Sequence, residues 1–237
     1  METIFPALRL ENKRVKIGTG GWAYLPLGEE DRLRVYAELF DYVEVNTTFY
    51  HMPRLGMVRS WRRRVPSGFT FSVKCNRRAT HELGLTPSEE TFRVLERMRL
   101  VLRLLRSDML VLQTPPSLYV DERKVQEVAA ILPSAGLGGT QVFWEDRSPN
   151  SLGRVKAVRE AMLREGIVPV VDLTEEPPVT GSHVTYSRMF GAAAYEGDLL
   201  SKIYHRVKGG RGGTTVLTFH GSNMYVDALR YKRRFST

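Results

Sequence analysis

From end to end the chain alternates between short apolar runs rich in β-branched residues and longer segments with helical spacing, a rhythm that few architectures accommodate. Eight runs read as strands: 15–19, 42–46, 70–74, 109–113, 141–145, 168–172, 184–188 and 215–219. Helical spacing covers 30–40, 57–64, 88–106, 122–132, 152–165, 198–207 and 225–234. The segment beginning at Ser88 opens with an N-cap and two acids, Glu89 and Glu90, then places Phe92, Leu95, Met98 and Leu102 on one stripe. The runs YVEV, MLVL, VPVV and VLTF are almost continuously apolar, as expected of parallel strands covered by helices. The chain has 237 residues, near the ~250 typical of an eight-fold barrel, so one domain can account for all of it. The expected fold is therefore α/β, a single (β/α)8 TIM-like barrel over 1–237, irregular in its C-terminal half.

A doubly wound open sheet is the alternative. It is weakened by IGTGGWAY at 17–24, which follows the first strand without the G-x-G-x-x-G spacing, and no nucleotide-cofactor motif appears elsewhere. The glycine cluster GGRGG at 209–213 precedes a strand, whereas phosphate loops follow a strand and open a helix. A flexible turn is the better reading.

Hydrophobic residues make up 42% and charged residues 26%, which excludes disorder, collagen-like repetition and a disulfide scaffold. No apolar run approaches the ~20 residues of a membrane span, and the N-terminus lacks a secretory pattern. A single cysteine, Cys75, suits a reducing compartment, so a cytoplasmic protein without a membrane partner is expected. The net charge of +9 is unevenly distributed. Residues 45–81 hold 8 basic side chains and no acidic one, and residues 199–237 hold 8 basic and 1 acidic. Of 35 cations 27 are Arg, whose planar fork grips phosphate oxygens, although genome composition or thermal adaptation also enriches Arg.

Parallel barrels carry their sites at the carboxyl ends of the strands. The polar residues there are Thr19, Glu44, Asn46, Lys74, Gln113, Glu145, Arg147, Asp172, Arg188 and His220. In YVEVN, Tyr42, Glu44 and Asn46 share a face. Glu44 is costly to bury unpaired, so either a cation such as Lys74 partners it or it acts as a general base. In FSVKC, Lys74 faces opposite to Cys75, which makes Lys74 the pocket candidate and Cys75 a packing residue. The long connection 75–87 places Arg77, Arg78 and His81 at the rim. Trp22, Tyr24, Phe49, Tyr50, Trp144 and Tyr195 lie near other strand ends and suit stacking on a base or sugar, or equally packing at a barrel mouth. No two of the five histidines have close metal-ligand spacing. A barrel can still gather a divalent metal between distant strand ends, here Glu44, Glu145, Asp172, His81 and His220.

IGTGGWAY (17–24), FDYVEVNTTFYHMP (40–53), GFTFSVKCNRRATH (68–81) and LVLQTPPS (110–117) together resemble the YecE-like family, the domain of unknown function 72. Looser similarity continues through VVDL at 170–173 and YSRMFG…YEGD at 186–198. The resemblance implies a βα barrel of unestablished reaction. Its pattern falls on Gly18, Gly21, Trp22, Glu44, Asn46, Thr48, Phe49, Tyr50, Lys74, Thr80, His81, Gln113, Pro115, Pro116, Asp172, Arg188 and Tyr195. Three departures stand out: VFWEDRSPN at 142–150 replaces the usual E-F-R-H-x-S-W, Phe190 replaces a histidine, and FHGSN at 219–223 places His220 where asparagines are usual.

Three functions are consistent with these residues. The first is a basic pocket for a phosphate-bearing small molecule or a nucleic acid, serving phosphate-ester hydrolysis. Lys74, Arg188, Arg77 and Arg78 would supply charge, Glu44 or Asp172 a base, and His81 or His220 an acid or metal ligand. The second is a sugar or sugar-phosphate enzyme such as an isomerase. The third is a barrel without catalysis, used for interaction. Substrate, metal and oligomeric state are not written in these motifs.

Overall fold

Residues 8–10, 13–26, 31–149, 152–191, 194–210 and 213–235 are described by a computed structural model. Nine strands are ordered β1-β2-β9-β8-β7-β6-β5-β4-β3. They are β1 (Leu8–Leu10), β2 (Lys13–Thr19), β3 (Tyr42–Val45), β4 (Thr70–Lys74), β5 (Met109–Thr114), β6 (Gln141–Asp146), β7 (Val168–Val171), β8 (Val184–Phe190) and β9 (Thr214–His220). Strands β2 to β9 are the eight parallel strands of a βα barrel, and β1 lies antiparallel on β2. The helices are α1 (Arg32–Leu39), α2 (Thr47–Tyr50), α3 (Leu55–Arg63), α4 (Glu89–Leu105), α5 (Glu122–Ser134), α6 (Leu152–Arg164), α7 (Gly197–Gly209) and α8 (Met224–Phe235).

Every expected strand is present to within a residue or two. The near-continuous apolar runs are buried throughout, as in β5, where all six residues are buried. Ser88 caps α4 by accepting from the Thr91 amide at 3.1 Å. Three features lack a sequence signal of the expected kind. β1 is only three residues long, α2 occupies the connection after β3, and Arg78–Glu82 forms a π-helical turn inside the expected loop. Residue 30, where the first helix was expected to begin, and residues 211–212 of the glycine cluster lie outside the described residues.

The chain divides into two compact units. The first comprises Met1–Glu44, Arg63–Thr70 and Val170–Thr237, and the second Val45–Arg62 and Phe71–Pro169. In the first unit β2 comes so close to β3 that a Cβ on Gly18 would sit 2.0 Å from the Tyr42 carbonyl oxygen. Only glycine fits there. The fully buried Tyr36 hydroxyl completes this contact, donating to the Tyr42 carbonyl at 2.9 Å and accepting from the Thr19 amide at 2.9 Å. Its burial raises the phenol well above its ordinary range. The basic C-terminal helix meets the first: Lys232 Nζ, on α8, donates to the Leu39 carbonyl at 2.8 Å. In the second unit β4, β5 and β6 pair in parallel, and the buried Trp144 indole donates to Thr114 Oγ1 at 3.1 Å.

Gly18→Ala is expected to destabilise the protein by on the order of 3 kcal/mol, since a backbone atom rather than a flexible side chain occupies the space. Urea unfolding checks this, and an unchanged midpoint would contradict the close β2–β3 approach.

Candidate functional site

The first unit holds a buried carboxylate at the end of β3. Glu44 is fully buried, and its oxygens accept from Arg188 Nη2 at 3.0 Å, Arg188 Nε at 3.1 Å and the Tyr186 hydroxyl at 2.8 Å. Arg188 is itself only 2% exposed. Strand alternation brings this about. Tyr186 and Arg188 lie two apart on β8 and so share a face, as do Tyr42 and Glu44 on β3. The polar chain extends inward from Tyr186 to the Tyr42 hydroxyl at 2.5 Å, and from there to Thr218 Oγ1 at 3.1 Å. Such a two-pronged fork offsets a desolvation cost that a lone buried carboxylate could not bear.

The sequence left open whether Glu44 has a cationic partner such as Lys74 or is a general base. In the structure Arg188 and Tyr186 engage both oxygens, which suits a fixed anion better than a base. For the same reason the Arg188 guanidinium is committed to a carboxylate and does not supply the open positive charge expected of it. His220, at the end of β9, places Nε2 3.6 Å from Glu44 Oε1. Asp172 follows β7, and its Oδ1 accepts from the Thr174 amide and hydroxyl at 2.8 and 2.6 Å, while Oδ2 accepts from the Phe190 amide at 3.3 Å. It braces a turn. Tyr195 is 3% exposed, with its amide bonded to Asp227 at 2.9 Å, and burial together with Asp172 and Asp227 raises its phenol. Trp22 is half-buried in the turn after β2, and Tyr24 is 85% exposed.

The second unit holds a different set, centred on Phe49 of α2. Lys74 Nζ lies over the Phe49 ring at 3.9 Å from its centroid, and the residue is 6% exposed. The His81 and Tyr50 rings meet Phe49 edge-on, each at 5.0 Å. Two residues fix this arrangement. Thr48 Oγ1 donates to the Lys74 carbonyl at 2.7 Å, and Asn76 Nδ2 donates to the Thr48 carbonyl at 2.8 Å. His81 Nδ1 bonds the buried Thr80 hydroxyl at 2.9 Å. Burial lowers the His81 pKa, and the positive charges of Lys74, Arg77 and Arg147 lower it further. At the ends of β5 and β6, Gln113 Nε2 donates to Glu145 Oε2 at 3.0 Å, and Glu145 in turn holds Arg147. Arg78 is clasped by Glu82 and Glu90, and Arg77 lies 3.5 Å from Glu82, so acids of the loop and of α4 answer the two rim arginines. Asn46 begins α2 without a side-chain cap bond, and Tyr50 is 61% exposed. Cys75 is fully buried, and burial pushes its thiol up to about 12, in keeping with a packing role.

Asn76 and Tyr186 are the organising residues that strand-end reasoning did not single out, whereas Phe49 was among the strand-end aromatics. Tyr186 was legible as the residue two before Arg188, but a mid-strand tyrosine reads as core. No group of three His, Cys, Asp or Glu side chains among the described residues is arranged to hold a metal ion.

A family model described as "Protein of unknown function DUF72" matches residues 16–237. The chain belongs to this family. No protein with a curated description matches its sequence. A DUF72 family protein from Enterococcus faecalis V583 has a similar structure, with a TM-score of 0.73 at 18% identity over 94% of this chain and 98% of that one. Another, from Thermotoga maritima MSB8, gives 0.72 at 20% identity over 94% and 99%. An AP endonuclease, family 2, from Brucella melitensis gives 0.55 at 12% identity over 94% and 100%. At these identities the shared feature is the TIM-barrel fold. No helix among the described residues is long and apolar enough to cross a membrane.

Breaking the Glu44–Arg188 pair leaves one charge buried, so Arg188→Met is expected to cost about 3–5 kcal/mol. Glu44→Met/Arg188→Met together should cost distinctly less. A double-mutant cycle from denaturant unfolding measures the coupling, and additive costs would contradict it.

Proposed function

We propose that this DUF72 barrel binds a phosphate-bearing small molecule at the carboxyl ends of β4 and β6, as a phosphate-ester hydrolase. The observation that carries the reading is the nearly buried Lys74 ammonium on Phe49, with the Arg77 and Arg147 charges also bearing on His81. An ammonium held at low exposure interacts with a bound anion more strongly than a solvated one. His81 supports the same reading. Its Nδ1 is taken by Thr80, so Nε2 is the nitrogen that would meet a ligand, and burial together with the surrounding cations favours the neutral imidazole at pH 7. A neutral imidazole can accept the proton of a water attacking phosphorus and return it to the departing alkoxide. The family 2 AP endonuclease, a structural neighbour, bears a name consistent with phosphate-ester chemistry on this fold, which is support by analogy alone.

A polymer-wide nucleic-acid interface receives less support, because Arg77 and Arg78 are answered by Glu82 and Glu90.

The test is a titration with inorganic phosphate, followed by calorimetry and by the His81 Cε1–H resonance. Saturable binding is expected, and Lys74→Met should weaken it about tenfold or more, as loss of a charged hydrogen bond does. Unchanged affinity in Lys74→Met would overturn the reading. The pH response has a definite sign. The His81 imidazole titrates below its ordinary value of 6.5, Lys74→Met moves it up, and a bound phosphate dianion also moves it up.

A further inference from the structure

The anion site of the second unit has an aromatic rim that a bare phosphate does not use. Phe49 is itself covered. It is 8% exposed, with the Lys74 ammonium 3.9 Å from its ring centroid and the His81 ring edge-on at 5.0 Å. Tyr50, the next residue and the last of α2, is 61% exposed. Its ring stands perpendicular to that of Phe49, with the centroids 5.0 Å apart. The Tyr50 ring therefore lies no more than about 9 Å from the Lys74 ammonium, because the two sit 5.0 and 3.9 Å from the same phenyl centroid.

The polar side chains that hold this arrangement are committed to the protein. The Thr48 hydroxyl is taken up by the Val45 and Lys74 carbonyls, at 2.8 and 2.7 Å. Asn76 donates its side-chain amide to the Thr48 carbonyl at 2.8 Å, and its side-chain oxygen accepts from the Arg78 amide at 3.0 Å. The buried Thr80 hydroxyl bonds His81 Nδ1 at 2.9 Å. An organic group that extends from the ammonium toward Tyr50 thus meets rings rather than hydroxyl-binding side chains. Residues 45–81 carry no acid, so this stretch of chain adds no carboxylate to repel the anion such a group would carry.

We propose that the phosphate ester held at this site is an aryl ester, with its phosphate on Lys74 and its ring stacked on the exposed face of Tyr50. This rests on the phosphate reading above and adds the chemical class of the ester's organic part. The span fits. A phosphate oxygen sits about 2.8 Å from an ammonium that donates to it. The aryl ring follows one ester oxygen later, and paired aromatic rings lie with centroids ~4.5–7 Å apart. A sugar ring in the same place would gain little, since the Thr48, Asn76 and Thr80 groups are already bonded. An alkyl chain would lack the ring pairing.

The test uses the whole protein and three probes: inorganic phosphate, ethylphosphonate and benzylphosphonate. In the last a methylene stands where an aryl ester has its bridging oxygen, so no turnover intervenes. Calorimetry is expected to show benzylphosphonate binding about tenfold more tightly than ethylphosphonate. Tyr50→Ala should bring the two to parity, and Tyr50→Phe should keep the preference. Because both probes are phosphonates of the same charge, their ratio reports the ring and not the anion. The proposal is overturned if the two phosphonates bind the unaltered protein alike, or if Tyr50→Ala leaves the preference in place. Failure of the phosphate reading has a separate signature: inorganic phosphate does not bind, or it binds Lys74→Met as tightly as the unaltered protein.

Discussion

A carboxylate with no exposure to solvent governs the organisation of the first unit. Glu44 sits in a strand whose four residues are all buried, where an isolated charge would cost several kcal/mol. The Arg188 fork and the Tyr186 hydroxyl make it tolerable, and together they tie β3 to β8. The same bonds commit Tyr186, and through it Tyr42 and Thr218, to fixed orientations. His220 then finds its Nε2 beside an anion already held in place. Networks of this kind are specific because each member satisfies another, and the loss of one strands the rest.

Charge in the second unit is sorted differently. Lys74 is held against an aromatic face, its ammonium 3.9 Å from the Phe49 ring centroid. The backbone lock made by Thr48 and Asn76 keeps the end of β4 and the start of α2 together, so Phe49 stays where Lys74 needs it. The neighbouring arginines, alike as letters in the sequence, differ in effect. Arg78 lies between the Glu82 and Glu90 carboxylates, while Arg147 pairs with Glu145, which also accepts from Gln113. The acid-free stretch 45–81, with its eight basic residues, is therefore not a uniform positive surface, since Glu82 and Glu90 beyond it answer Arg77 and Arg78.

Membership of the DUF72 family and the TIM-barrel fold place sites at strand ends without saying what they do, because barrels of this kind support many chemistries. The two departures at 190 and 220 illustrate the point. The imidazole that the resembled pattern carries at 190 is absent, and one is present at 220, its register partner. An imidazole thus remains at this end of the sheet, on the neighbouring strand.

Sequence alone determined the eight strands, the barrel class and the strand-end residues, because burial on both faces and helical periodicity are local patterns. It also placed Cys75 in the packing layer and showed that Glu44 needs either a partner or a task. It could not name that partner. Arg188 lies 144 residues away, and which strand end meets which depends on barrel closure and register. The same holds for Phe49 beneath Lys74, since a four-residue helix at 47–50 has too few residues to show a period. Tertiary structure decided which charges are neutralised and which imidazole faces an anion, because electrostatic pairing follows distance in space rather than along the chain.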